Sequence, residues 1–196
     1  MTTLTAGEMF AGYGGLAMAV HDAFTAQGHT VQTKWLAEFD DAPSRILAHR
    51  YPGVPNLGDV TSVDWADPAY RVDIIAGGSP CQDVSAAGRR AGMTEGTRSN
   101  LWVAKREAIN TIRPQWAVWE NVRGAFSATA HSEMEPCEGC VGGREGRDEP
   151  VLRALGRVLG DLSGIGYDTQ WRGLRAADVG APHGRYRVFV LARRRD

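Results

Sequence analysis

Cysteine is scarce in this 196-residue chain, which has three: Cys81, Cys137 and Cys140. So sparse and odd a set argues against a disulfide scaffold and for a reducing compartment. Charge of one sign is lacking as well. Lys and Arg number 22 against 23 Asp and Glu, for a net of -1, so no global field advertises a polyanion partner and any such site must be local. No apolar run approaches the ~18 residues of a membrane span. The opening Met1-Thr2-Thr3-Leu4 lacks the basic region and apolar core of a signal peptide. No internal repeat is visible. These absences lead to the expectation of a soluble, cytoplasmic protein, one domain by length and large enough for a real core.

What is present is an alternation of apolar runs and helical patterns, which favours a mostly parallel sheet. Residues 4–10 read as a first strand, diluted by Gly7 and Glu8. The glycine turn Ala11-Gly12-Tyr13-Gly14-Gly15 follows, then a helical pattern from Leu16 to about residue 27. Strand, glycine turn and helix bring backbone N–H groups close to a ligand at a helix N-terminus. Gly12 and Gly14 fit the first two glycines of a dinucleotide fingerprint, with Ala17 at the third; the same turn also serves as a tight connection with no ligand. Residues 31–37 form a second strand ending in Glu38-Phe39-Asp40. An acidic residue there suits ribose hydroxyls, or equally a solvated strand end or helix cap; Phe39 is placed to lie against a purine. Asp41 is a reasonable N-cap for a helix to about residue 50, with Pro43 in its first turn. Residues 56–60 read as a short third strand. At its end Asp59 accepts from an exocyclic amine or simply forms a turn, and Val60 would wall the ring.

The fourth strand, 72–76, delivers Gly77-Gly78-Ser79-Pro80-Cys81-Gln82-Asp83-Val84-Ser85. Strand carboxyl ends are where open α/β sheets place ligands and chemistry. A lone cysteine after a strand is by default a small buried hydrophobe; its company decides whether it is a nucleophile. Residues 82–100 are long for a connection and read as a binding loop or lid, in which Ser85, Arg89, Arg90 and Arg98 offer phosphate contacts. A helix over 101–112 leads to a fifth strand, 116–119, ending in Glu120-Asn121-Val122. If neighbouring strands carry Cys81 and Glu120, a nucleophile and an acid face one cleft, where desolvation raises a carboxyl pKa. Residues 123–147 are loop-like. Their Cys137-Glu138-Gly139-Cys140 is half a zinc site, with His131 nearby, but no second Cys pair exists, so the pair reads as structural or incidental and no metal is assigned. A periodic helix opens at Asp148-Glu149-Pro150 and carries Val151, Leu152, Leu155, Val158, Leu159 and Leu162 on one face. Sixth and seventh strands follow at 167–175 and 186–191. Arg185 and Arg187, two apart on a strand, share a face; Arg193, Arg194 and Arg195 read as a solvated tail.

Four blocks thus stand in order: Phe10-Ala11-Gly12-Tyr13-Gly14-Gly15, Gly78-Ser79-Pro80-Cys81-Gln82, Glu120-Asn121-Val122 and Gly180-x-Pro182-x-x-Arg185-x-Arg187. Block for block they resemble the motifs of the cytosine-C5 DNA methyltransferases, over nearly the whole chain from Phe10 to Leu191. The Pro-Cys-Gln and Glu-Asn-Val blocks are the most specific. The resemblance implies an α/β, Rossmann-like S-adenosylmethionine-dependent methyltransferase fold: a mostly parallel seven-stranded sheet with helices on both faces, in a single catalytic domain over 1–196 with 123–148 as a loop insertion. It implies S-adenosylmethionine held by the turn of Phe10, Ala11, Gly12, Gly14 and Gly15, with Glu38 on the ribose and Asp59 and Val60 at the adenine; Leu16, Phe39 and Pro80 complete the expected cofactor-binding set. It implies Cys81 as nucleophile on cytosine C6, Glu120 at the ring N3, and Arg185 and Arg187 positioning the base. Gln82, Ser85, Arg89 and Arg98 fall in a loop like the one that closes over a flipped cytosine.

The implied partner is double-stranded DNA containing the target cytosine. His183 stands where the family's block has Gln. The family continues past the last block with a target-recognition region and a final conserved segment that are not read in these 196 residues, so the expectation is a catalytic fragment, one part of a split enzyme with a second polypeptide supplying recognition, or a reduced form that finds its DNA contacts elsewhere. The competing readings are a related tRNA cytosine-C5 methyltransferase and a cofactor-binding subunit inactive alone. A nicotinamide dehydrogenase rests only on the glycine turn and Glu38.

Overall fold

Strand β1 (Thr3–Met9) is buried along most of its length, because it lies between two neighbours and under helices on either face. Such strands read as near-continuous small and apolar runs rather than as alternation. Gly7, which weakened the sequence signal, makes room for a neighbour: a Cβ there would fall 2.1 Å from Trp35 Cζ2. The structure is a computed structural model and describes residues 2–79, 101–127 and 153–196.

After β1 come α1 (Gly15–Thr25), β2 (Thr30–Ala37), α2 (Asp41–Arg50), β3 (Ile74–Gly77), α3 (Trp102–Ile112), β4 (Trp116–Val122), α4 (Ala154–Gly164), β5 (Tyr167–Arg175) and β6 (Tyr186–Arg194). The sheet order is β2-β1-β3-β4-β6-β5. The pairs β1–β2, β1–β3 and β3–β4 are parallel, while β6 runs antiparallel to both β4 and β5. One strand is therefore reversed and the sheet is mostly parallel. The chain winds outward from β1 to β2, then crosses back to place β3 on β1's other side. That reversal creates a crevice at the carboxyl ends of β1 and β3, where open α/β sheets bind ligands.

Alternate residues of the strands feed two layers. Ile75, Ala117, Trp119, Val188 and Val190 pack beneath α3 and α4 through Trp102, Ile109, Leu155 and Val158. Ile74, Ala76 and Val118 pack beneath α1 through Val20 and Phe24. Helices thus cover both faces, as expected. Helix α3 is locked to α4 where Trp102 Nε1 donates to the buried Asp161 Oδ2 at 2.8 Å. No helix among the described residues is long and apolar enough to cross a membrane.

The sheet has six strands among the described residues, not seven. The expected third strand at 56–60 reduces to a single bridge, Leu36↔Asn56. Asn56 instead uses its side chain: Oδ1 accepts from Glu38 N–H at 2.9 Å and Nδ2 donates to Glu38 O at 3.1 Å. Gly58 then turns the chain away with φ of 70°. Helix α2 is preceded by Asp40 rather than capped by Asp41, which is its first residue and pairs with Arg45 at 3.4 Å. The arginines at the end of the chain are not merely solvated. Arg193 lies over the Trp116 ring at 5.6 Å, Arg194 donates to Arg113 O, and Arg195 pairs with Asp168 at 3.6 Å.

Candidate active site

The turn after β1 is wound tightly. Phe10, Gly12 and Gly14 all have positive φ, of 56°, 54° and 78°. For a bulky side chain such as Phe10 that conformation is strained, and strain of this kind collects at binding sites. At Gly14 a side chain is excluded in any case, since a Cβ would meet Tyr51 Cε2 at 2.8 Å. Gly15 and Leu16 open α1. Glu38, at the end of β2, reaches across: Oε2 accepts from Gly12 N–H at 2.7 Å and Oε1 from Asp40 N–H at 2.8 Å. The carboxylate thus ties the glycine turn to the neighbouring strand end, and each oxygen keeps acceptor capacity for a ligand hydroxyl. Asp59 is fixed by Thr61, whose N–H and Oγ1 donate to Oδ1 at 2.9 and 2.8 Å. These two bonds stabilise its charged form and lower its pKa.

These elements enclose a cavity of about 480 Å³ at the β1/β3 switch point. Phe10, Glu38, Phe39, Asp59 and Val60 line it. Asp40, Thr61, Gly78 and Leu101 line it too, unforeseen in the sequence. Phe39 is 76% exposed, an aromatic face left open at the cavity's edge. Ala11, Gly12, Gly14, Gly15 and Leu16 shape the turn rather than the cavity wall: Ala11 packs with Leu36 and Leu47, and Leu16 against the α1 layer.

The ends of β3 and β4 lie against each other. Gly77 pairs with Trp119, and the next residue, Gly78, touches Glu120 so closely that a Cβ would fall 2.7 Å from Glu120 O and 2.8 Å from its Oε2. Ser79, buried at 4% exposure, is pinned from β4. Trp119 Nε1 donates to Ser79 Oγ at 3.1 Å, and Asn121 Nδ2 donates to Ser79 O at 3.2 Å. The Asn of Glu120-Asn121-Val122 therefore holds the chain that runs into Pro80-Cys81. Pro80, Cys81, Gln82, Ser85, Arg89 and Arg98 lie outside the described residues, as do His131, Cys137 and Cys140.

Strand β6 brings Arg187 to the same place. Its Nε contacts Glu120 Oε1 at 2.5 Å. Burial nevertheless pushes the Glu120 pKa above the ordinary carboxyl value, against the opposing pull of Arg187, Arg185 and Lys105. Arg185 is exposed, just ahead of β6, and acts on Glu120 through its charge. Glu120 also stands next to the cavity wall, because Gly78 belongs to both. A carboxyl with a raised pKa and a cavity thus meet at one strand end.

Sequence and fold are both similar to those of known proteins. Residues 4–196 match the family described as C-5 cytosine-specific DNA methylase. The chain belongs to that family. Among its methylase relatives, the type II methyltransferase M.NlaIV of Neisseria lactamica is 28% identical over 93% of this chain. A protein of Escherichia phage P1 named DNA N-6-adenine-methyltransferase is 31% identical over 81% of this chain and 25% of its own length. The chain spans about 40% of the length of M.NlaIV. The Dnmt2 methyltransferase of S. pombe has the same fold, with a TM-score of 0.68 at 16% identity over 97% of this chain and 50% of that one. Of the blocks read from the sequence, the glycine turn contributes Phe10 to the cavity wall, Glu120 stands beside that wall, and Arg187 pairs with Glu120.

Proposed function

We propose that this chain is the catalytic part of an S-adenosylmethionine-dependent DNA (cytosine-5)-methyltransferase that acts on a cytosine turned out of double-stranded DNA. The observation that carries the reading is the shared wall: Gly78 lines the cavity and touches Glu120 Oε2. The cavity suits an adenosine-bearing cofactor. Its volume is of ordinary ligand size, the acceptors Glu38 and Asp59 suit ribose hydroxyls and an exocyclic amine, and Phe39 offers a stacking face. Phe10, Ala11, Gly12, Gly14, Gly15 and Leu16 would hold the methionine end through the turn, with Val60 and Pro80 as walls. Bound S-adenosylmethionine supplies a methyl group activated on a sulfonium.

The residues do the rest. Cytosine C5 is a poor nucleophile while the ring is aromatic. The Cys81 thiolate adds to C6 as Glu120, entering protonated, holds a proton at N3; the ring becomes an enamine whose C5 takes the methyl group. A base then removes the C5 proton, and the C6–S bond breaks to restore aromaticity and release Cys81. Arginine charge brought near Cys81 would favour its thiolate. Arg185 and Arg187 orient the base and Glu120, while Gln82, Ser85, Arg89 and Arg98 contact the DNA around the extruded nucleotide. Target recognition is assigned to polypeptide outside this catalytic part, in the same or a second chain, because M.NlaIV carries more than half of its length outside the matched portion.

The test is transfer of a labelled methyl group from S-adenosylmethionine to duplex DNA, to adenine-only and cytosine-only target strands, and to tRNA. Label at cytosine C5 of DNA supports the proposal. Label on tRNA alone moves the substrate to RNA, and label on adenine removes Cys81 and Glu120 from the mechanism.

A further inference from the structure

Helix α3 buries Trp102, Lys105, Ala108 and Ile109 along one face. Three of the four are what a helix face on a sheet should carry. Lys105 is not: it is fully buried, at 0% exposure. Its ammonium donates to Gly77 O and, at 2.6 Å, to Val118 O. Those carbonyls belong to the last residue of β3 and to the β4 residue two before Glu120. A buried ammonium is costly unless paired and hydrogen-bonded, and an apolar residue would fill this helix face without that cost. Its place is therefore best explained by what it holds.

We propose that Lys105 is a positioning residue of this active centre: its buried amino group ties the carbonyl ends of β3 and β4 together, and its positive charge backs the Glu120 carboxyl from the helix side of the sheet. The inference rests on the reading of Glu120 as the proton-holding group. Gly78, the next residue after the tied Gly77, is the one that touches Glu120 Oε2, so a strand end released at Gly77 would move away from the carboxyl.

The charges around this centre come from four strands and two helices. Glu120 is faced by Arg187 and Arg185 at β6 and by Lys105 from α3. Lys105 is faced by Glu8 of β1 and by Glu120, both favouring its charged form, while burial pulls its pKa down to about 7. Glu8 is 3% exposed, accepts from Ala17 N–H at 3.1 Å through Oε1, and has no hydrogen-bond partner for Oε2 among the described residues. It is faced in turn by Lys105, by Glu38 at the end of β2 and by Tyr51 after α2. Burial raises the Glu8 pKa to about 8, so Glu8 is mostly protonated at neutral pH, and the Gly77 and Val118 carbonyls rather than a full counter-charge hold the Lys105 amino group.

The experiment is a carboxyl titration by carbon NMR on the full chain with labelled glutamate, the Glu120 resonance being assigned with Glu120→Gln. It needs no turnover. Lys105→Met should raise the Glu120 midpoint, because the carboxylate loses a favourable charge, whereas Lys105→Arg should leave it near that of the unaltered chain. Should Lys105→Met not fold, Lys105→Gln removes the charge while keeping a donor, and the same upward shift is expected. In the transfer assay the neutral variants should lose kcat by on the order of tenfold to a hundredfold, with S-adenosylhomocysteine affinity within about twofold of the unaltered chain. A Glu120 midpoint that stays put in a folded neutral variant overturns the proposal, even if kcat falls, since packing alone would then account for Lys105. An unaltered chain that binds cofactor but methylates nothing defeats the proposed function and leaves the midpoint test intact.

Discussion

At the scale of single residues, the proposed proton chemistry falls to Glu120. Its pKa is raised by burial, so the protonated form persists to higher pH than for an exposed carboxyl. In the proposed mechanism protonated Glu120 serves N3, hence kcat should fall as pH rises through its raised pKa; a pH profile of single-turnover methyl transfer would show that limb. Glu120→Gln should lower kcat by about 10²–10⁴ and abolish the limb while the circular dichroism spectrum is unchanged. Glu8 has the opposite visibility. The sequence shows it only as a blemish in a strand, because the face it occupies is set by packing against α1 and not by local pattern. Burial raises its pKa from 4.5 to about 8. The folded chain keeps that proton while the unfolded chain releases it, so unfolding releases a proton and stability falls as pH rises from 4.5 toward 8. Lys105, lowered from 10.5 to about 7, acts with the opposite sign, but only above pH 7. Urea denaturation at pH 5 and pH 7 should therefore show a loss of stability that Glu8→Gln removes.

Strand ends are the functional elements. The apolar runs for β1, β2, β3 and β4 were legible because central strands covered on both faces leave little but small and apolar residues. The glycine turn and the Glu-Asn-Val block were legible because close backbone approach and paired polar groups restrict which residues fit. The segment at 56–60 misled because an Asn and a Gly can end a bridge as readily as begin a strand. Asn121 and Ser79 show how the ends of β3 and β4 are fastened, and Gly78 shows how closely. Gly78→Ala would place a Cβ 2.7 Å from the Glu120 carbonyl oxygen. The expected result is a folded chain with kcat reduced on the order of 10²-fold, because a misplacement near 1 Å at a reacting group costs about that much. Stopped-flow or quench measurements of methyl transfer, beside a thermal melt, would check it. Away from the site, Trp102→Phe removes the bond to buried Asp161 and should cost about 1–3 kcal/mol of stability in denaturant with no change in cofactor affinity.

At the scale of the whole molecule, topology explains why these parts meet. Reversing the winding between β1 and β3 opens the crevice, and the parallel run from β1 through β3 to β4 sets the glycine turn, Gly78 and Glu120 along one edge of the sheet. The antiparallel return of β6 brings Arg187 onto Glu120. The switch point was legible only as a consequence of βα alternation, whereas the six-strand count among the described residues depended on a segment that pairs only at a single bridge. A cofactor bound in the crevice should stabilise the folded chain. S-adenosylhomocysteine at a hundred times its Kd contributes about 2.7 kcal/mol, which for a chain of this size raises Tm by roughly 5–10 °C. Phe39→Ala and Asp59→Ala should abolish most of that rise at the same ligand concentration in a thermal melt. The central claim is that a thiolate and a proton-holding carboxyl converge on one pyrimidine beside a bound methyl donor. Its most direct test is the mass of the protein after incubation with S-adenosylmethionine and duplex DNA containing 5-fluorocytosine, whose C5 fluorine cannot leave as a proton does. The account predicts a stable covalent protein–DNA adduct that Cys81→Ala eliminates; a chain that binds both cofactor and duplex yet stays at its own mass, or an adduct that survives Cys81→Ala, would contradict it.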